Sequence, residues 1–195
     1  GGGERGADNI NIETKNAYMF FKAGDFKVKA GIQGFSSGCD YSFILQDAAG
    51  ISASGKIARM ATTVLYSKFT EANNGSKDFN VYGAIVAPPV AGLKVGAYWI
   101  ENQLTEQDMY NLAFEYAGDV AGMKLNAWLQ YQFGDNAVAL ATDHSAYAMS
   151  AKLATGPVDV RFTMYGADDS ATDSNAFQDI SDLYEFPKEG LMYFF

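Results

Sequence analysis

Cysteine and histidine are nearly absent from this chain of 195 residues, represented only by Cys39 and His144. A lone cysteine rules out an intrachain disulfide and any Cys-based metal cluster. A lone histidine with no Cys nearby points to no metal centre and no catalytic base. No apolar run approaches the ~18 residues that a membrane-spanning helix requires. Gly-x-Ser-x-Gly, a phosphate loop and a catalytic triad pattern are all missing, and Glu115 and Asp159 are isolated carboxylates, read as wetting groups and not as an acid/base pair. Neither an enzyme nor a cofactor is therefore expected. Basic stripes interleaved with aromatics are also lacking, so nucleic acid is not an expected partner. The acidic segment 168–185 lacks the central glycine and spaced glutamate of an EF-hand loop; diffuse cation bridging to lipopolysaccharide suits it better than a specific calcium site.

Aromatics are plentiful, with 14 Phe and 12 Tyr against 2 Trp, and apolar residues recur at every second position. Val28, Ala30 and Ile32 alternate with Lys27, Lys29 and Gln33. Tyr110, Leu112, Phe114 and Tyr116 alternate with Asn111 and Glu115. Met123 through Tyr131 alternate with Lys124, Asn126, Gln130 and Gln132, and Trp128 intrudes on the polar side. Val158, Val160, Phe162 and Met164 alternate with Asp159, Arg161 and Thr163. A helix would scatter such positions around its circumference, whereas a strand gathers them on one face. The segments near 81–86 and 95–98 are apolar on both faces and need cover on both sides.

Connections alternate between tight and long. Tight turns are expected at Ala23-Gly24-Asp25, near Arg59-Met60, around Pro88–Leu93 and Gly118–Gly122, and at Thr155-Gly156-Pro157. Long loops are expected at Phe35–Ala49, 71–78, Asn102–Gln107, Gly134–Asp143 and Gly166–Glu189. Charge follows much the same division within a net charge of −9: many bases flank the tight turns and acids crowd the long loops, with Lys68, Lys77 and Lys188, and Asp25, Asp119 and Asp159, as exceptions. Strands of 8–11 residues wired this way predict an all-β, antiparallel up-and-down transmembrane barrel of about ten or eleven strands. In such a barrel the apolar faces meet lipid; in the alternative, a soluble β-sandwich, they meet in a core. Phe20, Phe26, Tyr131, Phe133 and Tyr147, near strand ends, are candidates for interfacial girdles. The chain opens Gly1-Gly2-Gly3-Glu4-Arg5 and ends on Gly190–Phe195, where a strand is only beginning. The expectation is one barrel domain over 1–195, incomplete at both ends.

The stretch Ala17-Tyr18-Met19-Phe20-Phe21-Lys22-Ala23-Gly24-Asp25-Phe26-Lys27-Val28-Lys29-Ala30-Gly31-Ile32-Gln33-Gly34-Phe35, followed by Asp47-Ala48-Ala49-Gly50-Ile51, resembles the outer-membrane homotrimeric porins of sulfate-reducing bacteria. The close match covers about a fifth of the chain, and its motifs are moderately specific. The resemblance implies a 16-stranded trimeric barrel in the bacterial outer membrane, in contact with the lipid bilayer and lipopolysaccharide. Its implied function is passive diffusion of small hydrophilic solutes, without cofactor. The other reading is a secreted or surface β-protein with a binding or structural role and no pore.

In porins one long loop folds inward and narrows the channel. Here Phe35–Ala49 is the candidate, with Asp40 and Asp47 as loop acids facing the wall cations Lys27, Lys29 and Lys56 across a constriction. The bland alternative is a surface loop with solvated acids. Gln33, Asn111, Glu115, Lys124, Gln130, Lys152 and Arg161 are the expected pore lining. Because acids dominate at the loop mouth, a modest cation preference is expected.

Overall fold

The computed structural model describes residues 16–36, 45–71, 78–103, 106–136, 141–156 and 158–167. They form ten strands: β1 Ala17–Ala23, β2 Phe26–Ser36, β3 Leu45–Ile57, β4 Met60–Glu71, β5 Asp78–Ala87, β6 Leu93–Asn102, β7 Gln107–Val120, β8 Met123–Asn136, β9 Ala141–Ala154 and β10 Asp159–Ala167. All lie in one antiparallel sheet whose spatial order is the chain order, an up-and-down meander consistent with a portion of barrel wall. The alternation in the sequence accounts for the strands, and the cross-strand register brings like positions together across the whole sheet.

The gaps at one edge are 24–25, 58–59, 88–92, 121–122 and 155–158; those at the other are 37–44, 72–77, 103–106 and 137–140. The division into two edges is as expected, but the second set is shorter than the sequence suggested. Leu45–Ala49 belong to β3, Gly134–Asn136 to β8 and Ala141–Asp143 to β9. Leu45–Ala49 pair with β2, and Asn136 pairs with Ala141 beyond a register shift, so segments that resemble loops in sequence extend the strands.

The turn at 58–59 carries no glycine, although both Ala58 (φ 49°) and Arg59 (φ 68°) are left-handed. This is the backbone of a type I′ turn, whose twist suits a two-residue hairpin. Each residue costs about 1–2 kcal/mol for a side chain in that region. The 121–122 turn has the same form but places Gly122 at its second position, so it carries the penalty only at Ala121.

Register divides the side chains between two faces. One face carries Lys27, Lys29, Ser52, Ser54, Tyr98, Asn111, Gln130, Lys152 and Arg161, together with every position aligned with them. We term this the polar face. Its central part is closely packed: Val81, Ile100, Met109, Asn111, Gln130 and Gln132 are all 0% exposed. Phe20 on β1 and Ile85 on β5 line one cleft on this face. In a flat sheet those strands would lie about 19 Å apart, so the sheet curls toward its polar face. Tyr98 lies over Gly83, its cross-strand partner, where a Cβ would come within 2.7 Å of the ring. The missing side chain makes room for the aromatic in the packed centre.

The other face is apolar and is the exposed one. Leu112 is 37% exposed, Phe114 42% and Phe162 44%, alongside Ile51, Trp99, Tyr110, Leu129, Tyr131 and Val160. This reverses the arrangement of a soluble sheet, which buries such residues.

Candidate functional site

The apolar face has a definite extent. From Val120 back to Tyr110 on β7, and from Met123 to Phe133 on β8, no charged residue points to it. At ~3.3 Å per residue and a tilt of ~40°, such a run rises ~25 Å, the height of the lipid-facing band on a transmembrane barrel. The band ends in a continuous cross-strand row of Tyr66, Tyr82, Trp99, Tyr110 and Phe133, each directly opposite the next. Tyr82 and Trp99 stack at 4.8 Å between centroids, and Tyr110 and Phe133 at 5.3 Å. Polar groups begin immediately beyond. Trp99 Nε1 donates to Asp108 Oδ1 at 3.0 Å, Tyr66 OH donates to Asn80 Oδ1 at 3.1 Å, and Asn80 Nδ2 donates to Glu101 Oε2 at 3.0 Å. Aromatics with an apolar body and a polar tip suit such a boundary. Tyr131, Phe133 and Tyr147 lie on this face as a girdle requires, but Phe20 is opposite Lys29 on the polar face. The sequence pattern missed Tyr66, Tyr82 and Trp99 as a row because their alignment depends on register across four strands.

Throughout the depth of the band the charges lie on the polar face, in two unlike groups. Along β6–β10 cations and carboxylates are interspersed. Lys94 Nζ pairs with Glu115 Oε2 at 3.1 Å, Lys152 Nζ pairs with Asp159 Oδ2 at 2.9 Å, and Lys124 stands opposite Asp119. Arg161 is opposite Lys152. Asn111 Nδ2 reaches Gln130 Oε1 at 3.5 Å, and Trp128 is buried between Glu115 and Ser150. Along β1–β5 the polar face carries Lys22, Lys27, Lys29 and Lys56 and no carboxylate among the described residues.

The cationic group borders a cleft of about 240 Å³, lined by Lys27, Lys29, Gln33, Ser52, Ser54 and Thr63 together with Phe20, Phe35 and Leu65. Gln33 is a buried strut: its Nε2 donates to the Lys29 and Gly50 carbonyls at 3.3 Å, and its Oε1 accepts from Ser52 Oγ at 3.0 Å. Ser54 Oγ and Thr63 Oγ1 share one hydrogen bond at 2.9 Å. Lys29 Nζ lies 5.0 Å from the centroid of Tyr18, whose ring quadrupole favours this position of the ammonium.

The expected wall cations Lys27, Lys29 and Lys56 thus share one face, as do the expected lining residues Gln33, Asn111, Glu115, Lys124, Gln130, Lys152 and Arg161. Gln33, Asn111 and Gln130 are buried in packing, however: Gln33 braces the floor of the cleft, and Asn111 and Gln130 are 0% exposed. Asp40 lies outside the described residues. Asp47 is a β3 residue paired with Gly34, out of step by one with Ala48, Ser52 and Lys56. Its register therefore matches the apolar-face positions Ile51 and Ala53. No group of His, Cys, Asp and Glu suited to a metal ion occurs among the described residues. Neither a known family model nor a curated protein matches this chain.

Proposed function

We propose that this chain forms the wall of a bacterial outer-membrane porin, admitting small hydrophilic solutes and ions by passive diffusion. The observation that carries this reading is the exposed, charge-free apolar face. It is ~25 Å tall, is bounded by an aromatic row, and has the charges at the same depth confined to the other face. Soluble monomers rarely expose apolar patches beyond a few hundred Å²; a bilayer covers such a face without cost. The resemblance of 17–35 to homotrimeric porins supports a trimer, and the acids beyond the aromatic row suit divalent bridging to lipopolysaccharide. The decisive measurement is solubility. The purified protein is expected to require detergent, and a monodisperse, folded state in plain buffer would refute the membrane assignment.

The packed centre of the polar face favours a second reading, a barrel wall with a structural role and no open pore. Val81, Ile100 and Met109 are buried where a water-filled channel would expose polar groups. Planar-bilayer recording of the protein separates the two, because stepwise conductance belongs only to the pore.

A further inference from the structure

We propose that the β1–β5 cleft binds a small soluble oxyanion, held by Lys27 and Lys29 with a hydroxyl of the Ser54–Thr63 pair, so that this part of the wall favours anions. The inference rests on the pore reading only for access to the cleft, and it reverses the cation preference expected from Asp40 and Asp47.

Three observations point the same way. The first is charge without neutralisation. Lys22 and Lys27 stand directly opposite each other across β1 and β2. Like charges in that relation repel and destabilise the pair. Asp25, in the turn between them, makes no ion pair with either, and none of Lys22, Lys27 and Lys56 has an ionic partner among the described residues. Across the same face, on β6–β10, Lys94 and Lys152 do have carboxylate partners. An anion between the ammoniums of Lys27 and Lys29 would supply what the chain does not.

The second observation is donor stock. The Gln33 amide is fully engaged, and Ser52 spends its hydrogen on Gln33 Oε1. In the Ser54–Thr63 hydrogen bond one hydroxyl donates and the other accepts, so the accepting hydroxyl keeps its own hydrogen for a ligand. Two ammoniums and a hydroxyl, with no carboxylate lining the cleft, form a cationic, donor-rich surface suited to phosphate-like or carboxylate oxygens. A halide offers these donors one spherical acceptor, whereas an oxyanion offers each donor its own oxygen.

The third is preorganisation. Lys29 lies over Tyr18, which favours that position, and the Gln33 hydrogen bonds tie β2 to β3 beneath the cleft. A ligand would therefore find one ammonium biased toward the cleft and a braced floor beneath it.

The test uses the detergent-solubilised full chain and inorganic phosphate, followed by phosphorus NMR line broadening at constant ionic strength. Constant ionic strength matters because salt screens such sites. Lys27→Gln/Lys29→Gln should weaken phosphate binding about tenfold, as loss of charge-assisted contacts entails. Lys124→Gln, which removes a polar-face cation outside the cleft, should leave binding unchanged. Equal weakening by both variants would reduce the effect to diffuse charge and overturn the site. Binding of lipopolysaccharide with no response to inorganic phosphate would likewise overturn a soluble-solute site. In planar bilayers, the same double variant should lower the anion/cation permeability ratio. Conductance with phosphate binding and reversal potential unaltered by the double variant sinks the cleft and leaves the pore standing; phosphate binding without conductance does the opposite.

Discussion

The two halves of the polar face handle charge and space in opposite ways. Along β6–β10, Lys94 and Lys152 meet carboxylates even where Lys152 also faces Arg161, and Trp128, Met109 and Ile100 fill the interior, so that little room remains. Along β1–β5, lysines face one another or face hydroxyls, and a cleft stays open beside them. Both halves belong to one sheet with one register, so the contrast is not a consequence of topology. A wall that serves only as structure gains by neutralising its charges and filling its gaps. Where a fold keeps repulsion and empty space instead, the departure marks the region that meets a ligand. On the oxyanion proposal, the packed half is scaffold and the cationic half is the site.

The largest expected effect sharpens the packing side of this contrast. Met109→Ala in the filled half removes a fully buried side chain from a cluster that includes Ile100 and Ala113. It should cost about 2–5 kcal/mol, depending on how far the neighbours relax. Leu65→Ala borders the existing cleft, so it should fall near the low end, about 2 kcal/mol. Reversible urea unfolding in lipid vesicles measures both. Equal losses would mean that the cleft closes over its lining and that the two halves are packed alike.

The next effect concerns the two faces instead of the two halves. Leu129 lies near the middle of the charge-free band on β8 and is exposed. Leu129→Lys should cost about 2–4 kcal/mol in vesicles, the penalty for a cation at the bilayer midplane. Lys at a polar-face position of similar depth, such as Asn126→Lys, should cost far less, because Asn126 is exposed on the side that already carries Lys124 and Lys152. Similar penalties at both positions would show that the two faces meet the same medium.

Much of this architecture is legible in the sequence. Spacing of two assigns each residue to a face, so the lining set from Gln33 to Arg161 could be grouped without coordinates. Gly24-Asp25 announces its own turn. The turn at Ala58-Arg59 gives only a weak signal, because its residues are strained into a conformation that their types disfavour. Loop lengths were overread where Gly134-Asp135-Asn136 and Ala141-Thr142-Asp143 extend strands with loop-like composition. The polar face was expected to be wet, yet Gln130 and Gln132 are buried. Burial depends on how sharply the sheet curls, a property of all the strands together. The opposition of Lys22 to Lys27, the alignment of Tyr66 with Tyr82 and Trp99, and the out-of-step position of Asp47 are likewise matters of pairing. Single-strand patterns do not carry them.

The smallest effect is the most discriminating, because its sign should differ between the halves. Lys94→Gln removes the partner of Glu115, whose carboxylate is largely buried and whose Oε1 has no hydrogen-bond partner. Lys94 itself is half exposed, so solvent screens the pair, and the loss should be about 1 kcal/mol, above the median for surface pairs because of Glu115. Lys27→Gln removes one member of the repulsive Lys22–Lys27 pair and breaks no ion pair among the described residues. It should stabilise the protein by roughly 0.2–0.5 kcal/mol in phosphate-free buffer, the scale of cross-strand like-charge repulsion. Adding inorganic phosphate should erase that advantage, since a ligand that binds only the folded, lysine-bearing protein stabilises it by mass action. Vesicle unfolding of both variants, with and without phosphate, reads all four values. If Lys27→Gln destabilises the protein in phosphate-free buffer as Lys94→Gln does, Lys27 has a structural partner, and the cationic half is scaffold like the other.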